Sequence, residues 1–189
     1  MSHANRGHGQ SCLAGYRIAC GRGIPWVLQI DSDGQCDPAY FHRFRRERNR
    51  FDVIYGYRWW RDDGARRTLA SIILKVTLAA TCRTWCRDAN VPYRLMQTAG
   101  LADVLATIPA DFSLANVALA VQLRRQAWHE GSVAIRFRDR YAGTPSVRLD
   151  QFGGKARQLV EQLRRLPAVP LRAPRLGAGQ LRHTPRRAA

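Results

Sequence analysis

Ile24 to Ile30 is a nearly continuous apolar run, Ile-Pro-Trp-Val-Leu-Gln-Ile, that ends in Asp31-Ser32-Asp33-Gly34-Gln35. The run reads as a strand covered on both faces, as in a parallel sheet. In open α/β sheets ligands bind beyond the carboxyl ends of strands, where Asp31 stands. Two carboxylates two residues apart, with the Gln35 amide two further on, offer hard oxygens to one cation, and such ligands suit Mg2+ or Mn2+. An ion held by few protein groups keeps positions for a diphosphate and neutralises charge on that leaving group. The competing reading is a solvated turn with a helix cap, and Asp37-Pro38 carries the cap signal, Asp before Pro in a first turn.

The rest of the chain alternates helix and strand patterns. Asn5-Arg6-Gly7-His8-Gly9 reads as a glycine-rich loop and Gln10 to Cys20 as a short helix. A basic helix is expected from Ala39 to about Arg50, a strand from Asp52 to Tyr57, and a long helix from Thr68 to about Trp85. Leu95 to Leu105 and Ser113 to Trp128 read as helices, Ser132 to Phe137 as a strand, and Leu149 to Leu166 as a closing amphipathic helix. Residues 167–189 are rich in Pro, Ala, Gly and Arg without an acidic residue, the composition of a disordered basic tail. The expected organisation is one α/β domain over residues 1–166 followed by that tail.

Hydrophobic residues make up 46% and charged residues 24%, which excludes wholesale disorder. The formal net charge of +17 favours an anionic partner, although lysines stand only at 75 and 155 and such an arginine skew also follows from GC-rich coding. Five cysteines, an odd count without a zinc-ligand set, fit a reducing cytoplasm. The longest apolar stretch, Leu69 to Ala80, is interrupted by Lys75 and falls short of the roughly 20 residues that span a bilayer. Membrane contact is therefore expected from the surface or through a partner.

Several ordered motifs together resemble a family 2 glycosyltransferase, of the branch containing dolichyl-phosphate mannose synthase and bacterial polyprenyl-phosphate glycosyltransferases. They are Asn5-x-Gly7-x-Gly9 with Gly15-Tyr16-Arg17-x-Ala19; Asp31-Ser32-Asp33-Gly34-Gln35-x-Asp37-Pro38; Val53-Ile54-Tyr55-Gly56-Tyr57-Arg58; Asp88-Ala89-Asn90-Val91-Pro92-Tyr93-Arg94-Leu95; and Phe137-Arg138-Asp139-Arg140 followed by Gly143 and Ser146. The resemblance runs from about Asn5 to Leu149. It implies a GT-A fold, Rossmann-like and incomplete at the N-terminus, because the family's opening strands and its Pro-x-Tyr/Phe-Asn-Glu motif have no counterpart here. A sheet without those strands is expected to expose an edge. His8 stands where many relatives have Lys, and Ile72 follows Ser71 where related enzymes often place Arg.

By the same resemblance Asp33 and Gln35 would hold the metal, with Asp31 on the metal or the sugar nucleotide. Asp31, Asp33, Arg58 and Arg140 would be catalytic. Gly7, Gly9, Arg94, Arg138 and Ser146 would serve donor or acceptor binding, with Arg94 supporting the site from an apolar setting. Guanidinium groups match phosphate in a bidentate manner, which suits Arg138 and Arg140 to an acceptor phosphate. The implied reaction is inverting transfer from a nucleotide-diphosphate sugar to a polyprenyl phosphate, at the cytoplasmic face of an anionic membrane. Three rivals stand beside it: an inactive remnant, a hydroxyl-acceptor enzyme of the same family, and a basic nucleic-acid-binding protein. The last lacks a zinc finger, an RNP-type aromatic motif and a clear helix-turn-helix, so no specific nucleic acid is expected.

Overall fold

A computed structural model describes residues 8–31, 34–58, 64–83, 89–109, 112, 114–136 and 152–167, with the side chains of 58, 64–71, 152, 153, 155 and 156 outside the description. Among the described residues the fold is mixed α/β, a four-stranded mixed sheet with six α-helices. The order is α1 (His8–Gly21), β1 (Trp26–Gln29), a 3-10 turn (Pro38–Tyr40), α2 (Phe41–Glu47), β2 (Val53–Arg58), α3 (Gly64–Cys82), β3 (Arg94–Gln97), α4 (Leu101–Ala106), α5 (Ala115–Arg125), β4 (Glu130–Ile135) and α6 (Phe152–Arg164).

The strands lie in the order β1-β3-β2-β4. β3 runs antiparallel to both neighbours, and β2 and β4 are parallel. β1, β2 and β4 therefore point the same way, and their carboxyl ends share one end of the sheet with the start of β3. The apolar run thus departs from its expected setting. Only Trp26–Gln29 is strand, its partner is antiparallel, and it lies at an edge with three of its four residues half-buried. Apolar side chains on both faces mark a strand that seeks cover; they do not specify the direction of its neighbour.

Alternation along the strands builds two cores. Val53 and Met96 point to the face covered by α1, α3, α4, α5 and α6, with Leu13, Leu78, Leu101, Leu105, Leu119 and Leu163 buried there. Ile54 and Leu95 point to the other face, where Phe44 of α2 stacks on Tyr93 with ring centroids 4.5 Å apart. Every residue from Ala115 to Leu123 is buried, so α5 is wrapped on all sides. Its carboxyl end is tied down by Gln122, which donates to the Pro167 carbonyl at 3.3 Å, and by Arg125, which donates to the Leu166 carbonyl at 3.2 Å.

Leu95 to Leu105 is the main correction in secondary structure. Its first residues extend β3, and the helix begins only at Leu101, after Gly100 takes a left-handed φ of 79°. Leu101, Val104 and Leu105 supply the helical spacing, whereas Leu95 and Met96 go to opposite faces of the sheet. Gly9, expected in a loop, lies in the first turn of α1, where His8 reaches both Cys12 and Asp31 and draws that turn into the helix. The Asp37 cap stands as read, its carboxylate accepting from the Ala39 N–H at 2.9 Å. Of the expected tail, residues 167–189, Pro167 is described and packs by its carbonyl on α5, while residues 168–189 lie outside the described residues.

Candidate functional site

Asp31 follows β1 at the shared end of the sheet, with its side chain 28% exposed. The His8 imidazole on α1 approaches it, Nε2 to Oδ1, at 3.5 Å. The same nitrogen lies 3.6 Å from Cys12 Sγ, one helical turn on. Gln29 donates through Nε2 to Cys12 Sγ at 3.7 Å, and the Tyr16 hydroxyl donates to Gln29 Oε1. His8, Cys12 and Tyr16 thus form a stripe along α1 that meets Gln29 and Asp31 across the helix–strand contact.

Gln29 is paired in register with Arg94 of β3, and Arg94 with Tyr55 of β2. Arg94 is fully buried. Its Nη2 donates to the Ala89 carbonyl at 3.2 Å, both Nη atoms reach the Asn116 carbonyl at 3.4 Å, and the guanidinium lies over the Tyr55 ring. Among the described residues Arg94 Nε and Asn116 Oδ1 have no hydrogen-bond partner. Arg94, expected in an apolar setting, is buried, but its described neighbours are main-chain carbonyls and the Tyr55 ring.

Burial sets the protonation of this seam. It pushes the Tyr16 phenol well up, against the opposing pull of Arg94. Burial also raises the Cys12 thiol, Asp31 adds to the rise, and Arg94 again opposes it. Burial therefore favours the protonated, hydrogen-bonding form of both groups.

Arg58 is the last residue of β2, in register with Ile135 at the end of β4, so its backbone reaches the Asp31 end of the sheet. Gly34 takes a left-handed φ of 78° and turns the chain between Asp31 and Gln35, which is half-buried. Gly7, Asp33, Arg138, Arg140 and Ser146 lie outside the described residues. Asp31, Gln35, Arg94 and the backbone of Arg58 are the expected site residues that the description reaches, and Gly9 stands beside His8 in α1.

Among the described residues no group of three His, Cys, Asp or Glu side chains is arranged to hold a metal ion. The Asp31 carboxylate and the Gln35 amide carry oxygens of the kind that hard divalent cations take. Tyr16, Gln29, Tyr55 and Asn116 were not among the expected site residues. Two sequence features bear on the first two: Gln29 is the single polar side chain in the run Ile24–Ile30, and Tyr16 follows His8 and Cys12 at i, i+4, i+8 spacing. No helix among the described residues is long and apolar enough to cross a membrane. Compared with known proteins, the chain matches no family model and no curated protein.

Proposed function

We propose that this chain carries the metal- and acceptor-side residues of a GT-A glycosyltransferase, moving a sugar with inversion from a nucleotide diphosphate to a polyprenyl phosphate at a membrane surface. The observation that supports the reading is topological. The ends of β1, β2 and β4 and the start of β3 bring Asp31, the backbone of Arg58 and the buried Arg94 to one end of the sheet. The Asp31 carboxylate at that end is the kind of ligand that a cation bound to a phosphorylated donor requires, while Arg94 bonds to main-chain carbonyls behind it.

Asp31, Asp33 and Gln35 would hold Mg2+ or Mn2+, which supplies charge neutralisation to the leaving diphosphate when bound. The acceptor phosphate is largely ionised near neutral pH, so its oxygen attacks the anomeric carbon without a general base. As that C–O bond forms, the bond to the diphosphate breaks and the configuration inverts. Arg58, Arg138 and Arg140 would bind phosphate oxygens, and Arg94 would act from behind, holding Tyr55 and β3 in place. The net charge of +17 suits an anionic bilayer around the acceptor.

The test is transfer of radiolabelled sugar to polyprenyl phosphate in the presence of manganese, with Asp31→Asn as the control. Metal-dependent product that disappears in Asp31→Asn is the expected result. Transfer only to hydroxyl acceptors would replace the acceptor assignment, and product formation unchanged in Asp31→Asn would overturn the site.

A further inference from the structure

α3 is apolar on two opposite faces. Leu74, Leu78 and Cys82, spaced i, i+4, i+8, pack into the core on the helical side of the sheet. Ile72, Ile73 and Val76 are 49%, 40% and 57% exposed, and Ala80 continues the row as an exposed residue. Offsets of i, i+1, i+4 and i+8 set these four on one face, opposite the first three. Exposed aliphatic side chains are ordinary when scattered, but three side by side form a patch. A helix that is apolar on both faces calls for cover on both, and the fold covers one.

The patch belongs to a helix that starts near the candidate site. α3 follows the end of β2, an interior strand between β3 and β4, and packs on α6. The charges along it have one sign. Residues 64–83 contain Arg66, Arg67, Lys75 and Arg83 and no acid. Lys75 is half-buried between the two apolar faces, and Arg83 is exposed just past the helix end. A long basic side chain beside an apolar row lays its stem along hydrocarbon and carries its charge outward.

These local charges choose among the possible covers. Against α3 of a second copy, basic helices would lie side by side with no acid in either to pair them. Residues 167–189 of this chain are basic and acid-free as well, and are repelled in the same way. An anionic bilayer offers hydrocarbon to the row and phosphates to its flanks in one surface. We propose that α3 is a membrane-docking helix. Ile72, Ile73 and Val76 enter the boundary between headgroups and acyl chains, and Lys75 and Arg83 bind lipid phosphates. The proposal rests on the membrane-surface reading above and names the face that makes the contact.

The test is flotation of the full chain with two kinds of vesicle, without sugar nucleotide, metal or polyprenyl phosphate. One is phosphatidylcholine alone, and the other contains roughly one-third phosphatidylglycerol. Binding to the anionic vesicles is expected, with little to the neutral ones. Changing Ile72, Ile73 and Val76 together to serine should weaken it roughly tenfold or more, with an unchanged circular dichroism spectrum because all three are exposed. Lys75→Glu should weaken it severalfold on anionic vesicles. If the serine variant does not fold, Val76→Trp tests the face from the other direction, and should tighten binding about threefold or more. Phe41, exposed on α2 at the opposite side of the sheet, is the control, and Phe41→Ser should leave binding unchanged. Absence of binding to anionic vesicles, equal binding by the serine variant, or no tightening by Val76→Trp would overturn the proposal. So would a dimer in sedimentation that the serine variant dissolves, since the face would then belong to a second copy. Vesicle binding without sugar transfer keeps the docking face and counts against the transferase reading, whereas transfer without vesicle binding does the reverse.

Discussion

Arg94 is wholly buried with its guanidinium carbon 5.0 Å from the centroid of the Tyr55 ring. Its hydrogen bonds go to the carbonyls of Ala89 and Asn116, and no carboxylate pairs with it among the described residues. A buried cation without a counter-ion is costly. Here two carbonyl dipoles and an aromatic face offset part of that cost. Arg94 is therefore a cross-link between β3, the segment before it and α5.

Removing that cross-link should be expensive. Arg94→Ala leaves a cavity and two buried carbonyls short of donors, so we expect a loss of about 3–5 kcal/mol in urea unfolding. Arg94→Lys keeps the charge but cannot span both carbonyls with a planar fork, and should cost about 1–3 kcal/mol. An alanine variant as stable as the parent would show that Arg94 is not structural, leaving substrate contact as its role.

Tyr16 offers a pH signature. Burial raises its phenol above the ordinary value near 10, so the folded state holds its proton while the unfolded state loses it. The unfolded state then binds fewer protons, and stability falls as pH rises. Tyr16's share is fully present below pH 10 and is lost as pH climbs from there toward the higher folded value. Tyr16→Phe removes that slope and also the hydrogen bond to Gln29, costing about 1 kcal/mol at pH 7. Urea midpoints measured from pH 8 to 11 for both proteins check this. Parallel curves would refute it.

How much of this was readable beforehand differs from element to element. The strand read from Asp52 to Tyr57, found at Val53–Arg58, was legible because β-branched and aromatic residues crowd between two turns, and α5 because Ala, Leu and Val dominate a stretch without Gly or Pro. The start of β3 was not, since Leu95 and Met96 precede a true helical pattern and look like its beginning. Edge position and the antiparallel partner of β1 are properties of pairing, which a single apolar run does not encode. Asp31 could be picked out because it ends such a run. The Tyr16–Gln29–Cys12–His8 seam could not, because it exists only where α1 crosses β1.

Gly56 allows a close approach of three strands. A Cβ there would overlap the Ile135 side chain and sit 3.0 Å from Tyr93 Cβ. Gly56→Ala should therefore destabilise by about 1–3 kcal/mol through overpacking. Trimming the obstacle should give part of that back: Gly56→Ala with Ile135→Val is expected to be more stable than the sum of the single losses predicts. Strict additivity in the double-mutant cycle would mean that the clash is relieved elsewhere.

Asp31 carries the chemical reading, and its neighbours allow that reading to be separated from stability. The carboxylate is partly exposed and accounts for little packing, so Asp31→Asn should unfold within about 1 kcal/mol of the parent. Its effect on manganese-dependent sugar transfer should be far larger, roughly 100-fold or more, because an ion at a developing diphosphate charge contributes several kcal/mol to the barrier. Cys12→Ser is the matched control. It alters the same seam through His8 and Gln29 without removing a hard oxygen ligand, and it should change transfer less than tenfold. Thermal unfolding and initial rates on the three proteins distinguish the cases. A rate loss in Cys12→Ser equal to that in Asp31→Asn would assign the effect to disruption of the seam, and the metal-binding role of Asp31 would fall with it.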